Sequence, residues 1–302
     1  MNNLAPIVLF VYNRPDHTKQ TVEALQNNTF AEDSELFIFS DAAKNEEAER
    51  SVQEVRDYLK NIKGFRTISI VEREKNWGLA NSIIDGVTSV IQKYKKVIVM
   101  EDDLVTSTTF LTYMNNALNT FQTRLDIFSV TGFNYPKSIL PVPKDYNEDI
   151  YLSHRCMSWS WGTWIDRWEK VDWDINDFQS LSSNKSKINH FNKGGEDLFP
   201  MLQSQMSGKI DSWAIRFCYA HSIHNAYCVY PTNTLIINEG FDGSGVHCGK
   251  DNTTNYDKIT FSNSVVNLNQ QIEINPDIAA NFYLITKKNI WQKIKTTIRK
   301  YI

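Results

Sequence analysis

The stretch KKVIVMEDDLVTSTTF, Lys95 to Phe110, runs from an apolar segment straight into three consecutive carboxylates. Val97, Ile98, Val99 and Met100 read as a strand with no polar face, which a sheet tolerates where both faces are covered. Glu101, Asp102 and Asp103 then stand side by side before Leu104 and Val105 resume the apolar run. Like charges so placed repel one another unless a cation or hydrogen-bond donors offset them. A solvated acidic turn is the plain alternative, and the three residues alone do not decide between the two.

The flanking pattern supplies context. PIVLFVY (Pro6 to Tyr12), ELFIFS (Glu35 to Ser40), TISIVE (Thr67 to Glu72) and KVIVME (Lys96 to Glu101) are short runs rich in Val, Ile and Phe. Between them apolar residues recur at helical spacing, first Val52, Val55, Leu59 and Ile62, then Leu79, Ile83, Val87 and Ile91. Strands apolar on both faces, interleaved with amphipathic helices, predict an α/β fold with a mostly parallel sheet flanked by helices.

In such sheets ligands sit outside the carboxyl ends of the strands. Four of those ends carry polar groups here. Strand one stops at Asn13-Arg14-Pro15, where Arg14 suits a phosphate or base and Pro15 suits the first turn of a helix. Strand two stops at Asp41, placed for a ribose hydroxyl or a base N–H. Strand three leads into EKNWGLANSI, where Asn76 and Gly78 precede a helix start that favours an anion. Strand four ends in the carboxylates, and hard ions such as Mg²⁺ or Mn²⁺ take such oxygen ligands together with substrate phosphates. Each group alone is ordinarily a cap or a turn. Together they point to a nucleotide site.

Bulk properties narrow the class. With 302 residues the chain has ample length for a core, and a net charge of −3 argues against nucleic acid as a partner. The four cysteines, Cys156, Cys218, Cys228 and Cys248, show no CxxC or finger-like spacing, so reduced thiols of an intracellular protein are expected rather than a zinc site. The apolar run near the N-terminus is short and lacks a basic leader, so no signal peptide is expected, and no stretch approaches a membrane span.

After IFSVTGFNY (Ile127 to Tyr135) the texture changes. A Pro-rich connection leads to SHRCMSWSWGTWIDRWEKVDWD, in which Trp161, Trp164 and Trp168 are spaced as one helical face. Trp159 and Trp161, at the start of that expected helix, are candidates for stacking on a sugar, and His154 is a secondary candidate. A helix over IDSWAIRFCYAHSIHN, a strand over AYCVYP and a Gly-rich loop, GFDGSGVHCGKDNTT, follow. This divides the chain into a nucleotide-binding α/β half (1–135), a second half of the same domain (136–285) and a tail (286–302).

In this order YNRP, SDA, NWG and VMEDDL resemble the donor domain of GT-A glycosyltransferases. The Glu-Asp-Asp element is similar to the metal-binding DxD element of the N-acetylglucosaminyltransferase I family. DSW, VYPTNTLIINEGFDGSGVH and their spacing are similar to that family and to bacterial surface-polysaccharide sugar transferases, over about residues 5 to 250. The resemblance implies an inverting, metal-dependent transfer from a nucleotide sugar, UDP-linked, with Mn²⁺ or Mg²⁺ held by Asp103. It implies that Asp102 contacts the ribose or a metal-bound water, Glu101 the donor sugar, and Arg14 and Asp41 the nucleotide. Asp211 matches the catalytic base, with Ser212 where that family has a second acid. Asp211 also stands where a helix N-cap would. His247 lies in the loop implied to order over the donor.

The acceptor implied is a hydroxyl of a glycan or lipid-linked glycan, as in bacterial surface polysaccharide synthesis. A nucleotidyltransferase is a rival on a similar layout, although VYNRPDHT lacks the glycine-rich loop such enzymes use. A non-catalytic carbohydrate-binding module is the other. The tail carries six basic residues from Lys287 to Lys300 and no acid, with Ile290, Trp291, Ile294 and Ile298 on one helical face. It reads as a basic amphipathic helix for an anionic membrane surface, which would make a cytoplasmic enzyme peripheral on the inner face of the membrane. Packing on the enzyme's own core, or sealing a dimer, is the alternative.

Overall fold

The computed structural model describes residues 4–242 and 261–299, with side chains up to residue 287 in the last helix. The strands are β1 (Ile7–Val11), β2 (Glu35–Ser40), β3 (Thr67–Glu72), β4 (Lys96–Glu101), β5 (Leu104–Thr106), β6 (Ile127–Thr131), β7 (Ile150–Ser153), β8 (Trp161–Trp164), β9 (Tyr227–Pro231) and β10 (Ile236–Asn238). Eight of them form one sheet in the order β3-β2-β1-β4-β8-β6-β9-β7, and β10 pairs with β5 in a separate ribbon. β1 to β4 are mutually parallel; β8 runs antiparallel between β4 and β6, and β7 antiparallel at the edge.

The helices are α1 (Pro15–Gln26), α2 (Glu46–Leu59), α3 (Leu79–Tyr94), α4 (Phe110–Thr120), α5 (Ile165–Trp168), α6 (Phe178–Ser182), α7 (Lys185–Phe191), α8 (Leu198–Met206), α9 (Trp213–Ile223) and α10 (Pro276–Arg299). β1 shows why they must lie on both sides. Ile7, Leu9 and Val11 belong to the core layer that also takes in α1, α2 and α4, whereas Val8 and Phe10 belong to the opposite layer with α3 and α9. A strand buried on both faces needs two helical layers, and the continuous apolar runs of β1 and β4 encode that. β3 departs from this pattern: it is the sheet edge and half exposed, with Ile68 and Ile70 packed on the core.

The Trp-rich stretch is not the helix expected from its spacing. Trp161 to Trp164 form β8, and only Ile165–Trp168 turn into a helix. Gly162 lies close against β4: a Cβ there would stand 3.0 Å from the Val97 carbonyl oxygen, tighter than most side chains come.

α10 begins at Pro276, well before the tail boundary drawn at residue 286, and docks on the sheet through Ile278 and Phe282. The side chains beyond residue 287, and with them the amphipathic face expected of the tail, lie outside the described residues. No helix among the described residues is long and apolar enough to cross a membrane. Cys156, Cys218 and Cys228 are buried free thiols; Cys248 lies outside the described residues.

His221 on α9 is fully buried. Its Nδ1–H donates to the Phe217 carbonyl and its Nε2 accepts from the Ser129 hydroxyl, both at 2.8 Å, a pairing only the neutral ring satisfies. Burial, helped by His224, lowers its pKa to about 4. An unfolded histidine takes up its proton near 6.5, so stability is intact above that pH and lost as pH falls toward 4. Urea unfolding of a His221→Leu variant should show a shallower decline across that window, by about 1.4 kcal/mol per pH unit. An unchanged slope would mean that the ring is charged in the fold.

Candidate active site

The carboxylates sit where β4 stops. β1 lies directly beside β4, Phe10 opposite Glu101, so the chain leaving β1 passes over the acids. There Arg14 reaches Asp102 in a close ion pair and donates through the same Nη2 to Asp103 Oδ2 at 3.0 Å. The Tyr12 backbone N–H donates to Asp102 Oδ2 at 3.3 Å, and Thr21 Oγ1 donates to the Asp102 carbonyl at 2.9 Å. Pro15 opens α1 as its first residue, with Arg14 at the cap. In this structure Arg14 is therefore the counter-ion of the acids, through Nη2.

Asp102 and Asp103 are only 4% and 7% exposed, which makes compensation obligatory. Burial raises the Asp102 pKa against the pull of Arg14. Burial, then Asp103 and Asp102, push Glu101 up to about 8. Burial opposes the Arg14 charge, but the two aspartates outweigh it and raise its pKa further.

Asp103 Oδ1 is buried and has no hydrogen-bond partner. An orphaned carboxylate oxygen is costly unless something else meets it, and a hard cation is the chemistry that oxygen suits. Among the described residues no three acids, histidines or cysteines converge into a full ligand set. The fit is thus that of Mg²⁺ or Mn²⁺ sites, in which one or two carboxylates hold the ion and substrate phosphates and water complete it. Asp103, with Asp102 beside it, would hold that ion.

Residues 239–242 close over the acids. The Glu239 N–H donates to the Asp103 carbonyl at 2.9 Å, and His17 on α1 contacts the Glu239 carbonyl at 3.3 Å and Asp242 at 3.4 Å. Gly240 lies against Asp103: a Cβ there would collide with the carboxylate and fall 3.1 Å from Arg14 Nη1. Only glycine lets the backbone come so near. Sequence reasoning placed Gly240 in a loop but gave it no such task. The rest of that loop, His247 included, lies outside the described residues.

The ends of β2 and β3 are tied together by Asp41. Its carboxylate accepts from the backbone N–H groups of Ala42, Trp77 and Gly78 at 2.9 to 3.1 Å. Asn76 Nδ2 donates to the Ala42 carbonyl at 2.7 Å, and the Arg73 guanidinium lies 4.0 Å from the Trp77 ring centroid. In this structure the Asp41 carboxylate and the Asn76 Nδ2 are turned to the loop itself. Gly78 caps α3 at φ 75°, ψ 162°, a conformation open to glycine alone.

Asp211 meets this loop from the other half. A Cβ on Gly78 would stand 3.6 Å from Asp211 Oδ2. The capping role open to Asp211 belongs instead to Ser212, whose hydroxyl accepts from Ile215 N. Asp211 stays 57% exposed, with Arg216 at 3.6 Å; Arg216 itself donates to the Ser212 and Trp173 carbonyls. The sequence drew no attention to Arg216.

Two aromatic assignments are corrected. Trp161 is 1% exposed, stacked on Trp213 at 4.7 Å and Trp168 at 5.6 Å, and is core rather than a surface for sugar. His154 follows β7 beside Tyr227, at the sheet end opposite the acids, because Ser153 pairs with Cys228 while Ile150 pairs with Pro231. Trp159 is better placed, partly buried on Phe133 and against Phe241, next to Gly240.

No curated protein matches the sequence. A model of the family described as Glycosyl transferase family 2 matches residues 7–176, more than half of the chain. The chain belongs to glycosyltransferase family 2. Its sheet and helices are those of a GT-A, Rossmann-like fold, and membership of the family favours the transferase over the nucleotidyltransferase and the binding module. Among solved structures it is similar to S. aureus TarS at 10% identity, over 78% of this chain and 37% of that one, with a TM-score of 0.46. It is also similar to the mannosyltransferase PcManGT from Pyrobaculum calidifontis in complex with GDP-Man and Mn²⁺, at 10% identity, over 73% and 70%, with a TM-score of 0.41. At such scores these likenesses carry no argument about activity. This family 2 chain spans little more than a third of the TarS chain.

Gly240→Ala tests the close approach. Overpacking of this kind costs about 1–3 kcal/mol, so chemical denaturation should show that loss, and Mn²⁺ titration should show weakened binding as Asp103 is displaced. Parental stability and parental Mn²⁺ affinity would mean that residues 239–242 do not lie on Asp103.

Proposed function

We propose that this glycosyltransferase moves a sugar from a nucleotide-sugar donor, UDP-linked, to a hydroxyl of a glycan or lipid-linked glycan, with inversion at the anomeric carbon. One observation carries the proposal. Two acidic centres of opposite character share one rim of the sheet, the buried Asp102–Asp103 pair and the exposed Asp211 beside Gly78.

Their chemistry is complementary. Mn²⁺ or Mg²⁺, when bound, neutralises charge developing on the diphosphate as the sugar leaves. Asp103, through its unpaired oxygen, and Asp102 provide the negative charge that holds such an ion. Glu101, Arg14 and the Asp41-ordered loop around Gly78 shape the donor's surroundings. Asp211, which neither caps a helix nor lies buried, takes the proton from the attacking hydroxyl. One acid on the leaving side and one on the attacking side give a single displacement, hence inversion.

Membrane attachment through the tail belongs to the same proposal. The six bases between Lys287 and Lys300 support it, although Lys287 also lies 3.6 Å from Glu196. Flotation with vesicles containing anionic lipid should retain the full chain and release one truncated after Thr286; equal partitioning of the two would remove the membrane from the proposal.

Thermal unfolding in the presence of Mn²⁺ and individual nucleotide sugars tests the donor. A UDP-sugar at a hundred times its Kd should stabilise the fold by about 2.7 kcal/mol, and Asp103→Ala should abolish the metal-dependent shift. Asp211→Asn should keep that shift yet lower turnover by about 10²–10⁴-fold. A full set of UDP- and GDP-sugars without effect would refute the donor class, and undiminished turnover in Asp211→Asn would remove the base.

A further inference from the structure

Arg14 holds two buried aspartates with a single nitrogen. Nη2 donates to both Asp102 and Asp103, while Nε and Nη1 donate to none of the described residues. The guanidinium therefore keeps most of its fork for another anion. Planar forks of this kind match phosphate oxygens in pairs. Its side chain is 16% exposed, against 6% and 10% for the side chains of the two aspartates it holds.

Asp103 is divided in the same way. Oδ2 accepts from Arg14, and Oδ1 is buried with no partner. A cation arriving at Oδ1 would set a second positive charge on a carboxylate that already carries one. The two cations repel across a few ångströms, where screening by solvent is weak. Metal entry thus loosens the Arg14 contact, and the Arg14 contact holds metal entry back. A diphosphate reverses the balance, because it offers the guanidinium a new anionic partner.

We propose that Arg14 is a positioning residue with two partners: the counter-ion of Asp102 and Asp103 before metal binds, and a ligand of the donor's diphosphate afterwards. The first half rests on the contacts above; the second rests also on the nucleotide-sugar reading of the site. Metal and diphosphate then bind cooperatively, each raising the affinity of the other by the same factor. The enzyme holds metal weakly until the donor arrives.

Mn²⁺ binding, followed by the paramagnetic resonance signal of the free ion, tests this without turnover. In the unaltered protein UDP should tighten Mn²⁺ binding by about tenfold or more, within the usual range of such couplings. Arg14→Gln should bind Mn²⁺ alone about tenfold more tightly, and UDP should then add no more than about twofold. Lys75→Gln removes the same charge from the loop after β3, two strands away from β1, and should leave both quantities unchanged.

Failure of Arg14→Gln to gain Mn²⁺ affinity would overturn the proposal, as would an equal gain in Lys75→Gln. If Arg14→Gln does not fold, Arg14→Lys replaces the fork with a point charge and should move both quantities in the same directions, by about threefold; values equal to the parent would overturn the proposal there. Absence of UDP and GDP binding in every variant would sink the donor reading and the second half together, whereas the Mn²⁺ gain in Arg14→Gln would still uphold the counter-ion.

Discussion

The arrangement depends on the cost of holding acids out of water. Two aspartates less than a tenth exposed, adjoining a glutamate pushed up to about 8, form a concentration of charge that no ordinary core could hold. What offsets them is a set of donors and a cation. The Tyr12 N–H and the Arg14 guanidinium come from the end of β1, and residues 239–240 come down from β10. These contacts exist because β1 pairs with β4 in register, Phe10 beside Glu101, and because β10 pairs with β5 immediately after the acids. The sheet topology is thus what makes the acidic cluster tolerable.

The second half of the chain reaches the same rim through packing rather than charge. β8 inserts antiparallel beside β4 and places Trp161 level with Val99, near the carboxyl end of that strand. Trp161 then stacks on Trp213, the first residue of α9. Such aromatic pairs contribute about 0.5–1.5 kcal/mol beyond their burial and fix orientation as well. Pinning the first turn of α9 also fixes Asp211, two residues earlier. Trp161, expected to face a sugar, therefore acts one step back: with Trp213 it sets where a carboxylate stands.

How far the sequence foretold this varies with the kind of constraint. β1 and β4 are written as runs with no polar face, and β2, β3 and β4 fall on the residues expected. The acids, Gly78 and Asp211 are legible because strand ends and helix starts are local features. What is not legible is the use of a polar group whose partner lies far along the chain. Asp41 looks free until Trp77 and Gly78 are brought to it, and Arg14 looks free until Asp102 and Asp103 are. Gly240 carries no local signal at all, since its need for a missing Cβ arises only from Asp103. The Trp161–Trp168 error has another cause: residues three and four apart fit a helical face, yet a four-residue strand running into a one-turn helix gives the same spacing.

Asp211 shows how a structural role can be ruled out by assignment of that role elsewhere. An acid just ahead of a helix normally earns its place by accepting from the first free N–H groups. Here Ser212 does so, and Gln205 Oε1 accepts the Ser212 N–H at 2.6 Å, so the entry to α9 is already satisfied without Asp211. Its remaining contact is an ion pair to Arg216 at 3.6 Å in a largely exposed setting, of a kind that adds about 0–1 kcal/mol. A carboxylate with so little to do for the fold, facing the glycine that opens α3, is free to accept a proton. Asp102 and Asp103 are the reverse case, since the fold must hold them against their burial. The asymmetry suits a reaction that needs fixed negative charge on one side of a sugar and an unencumbered base on the other.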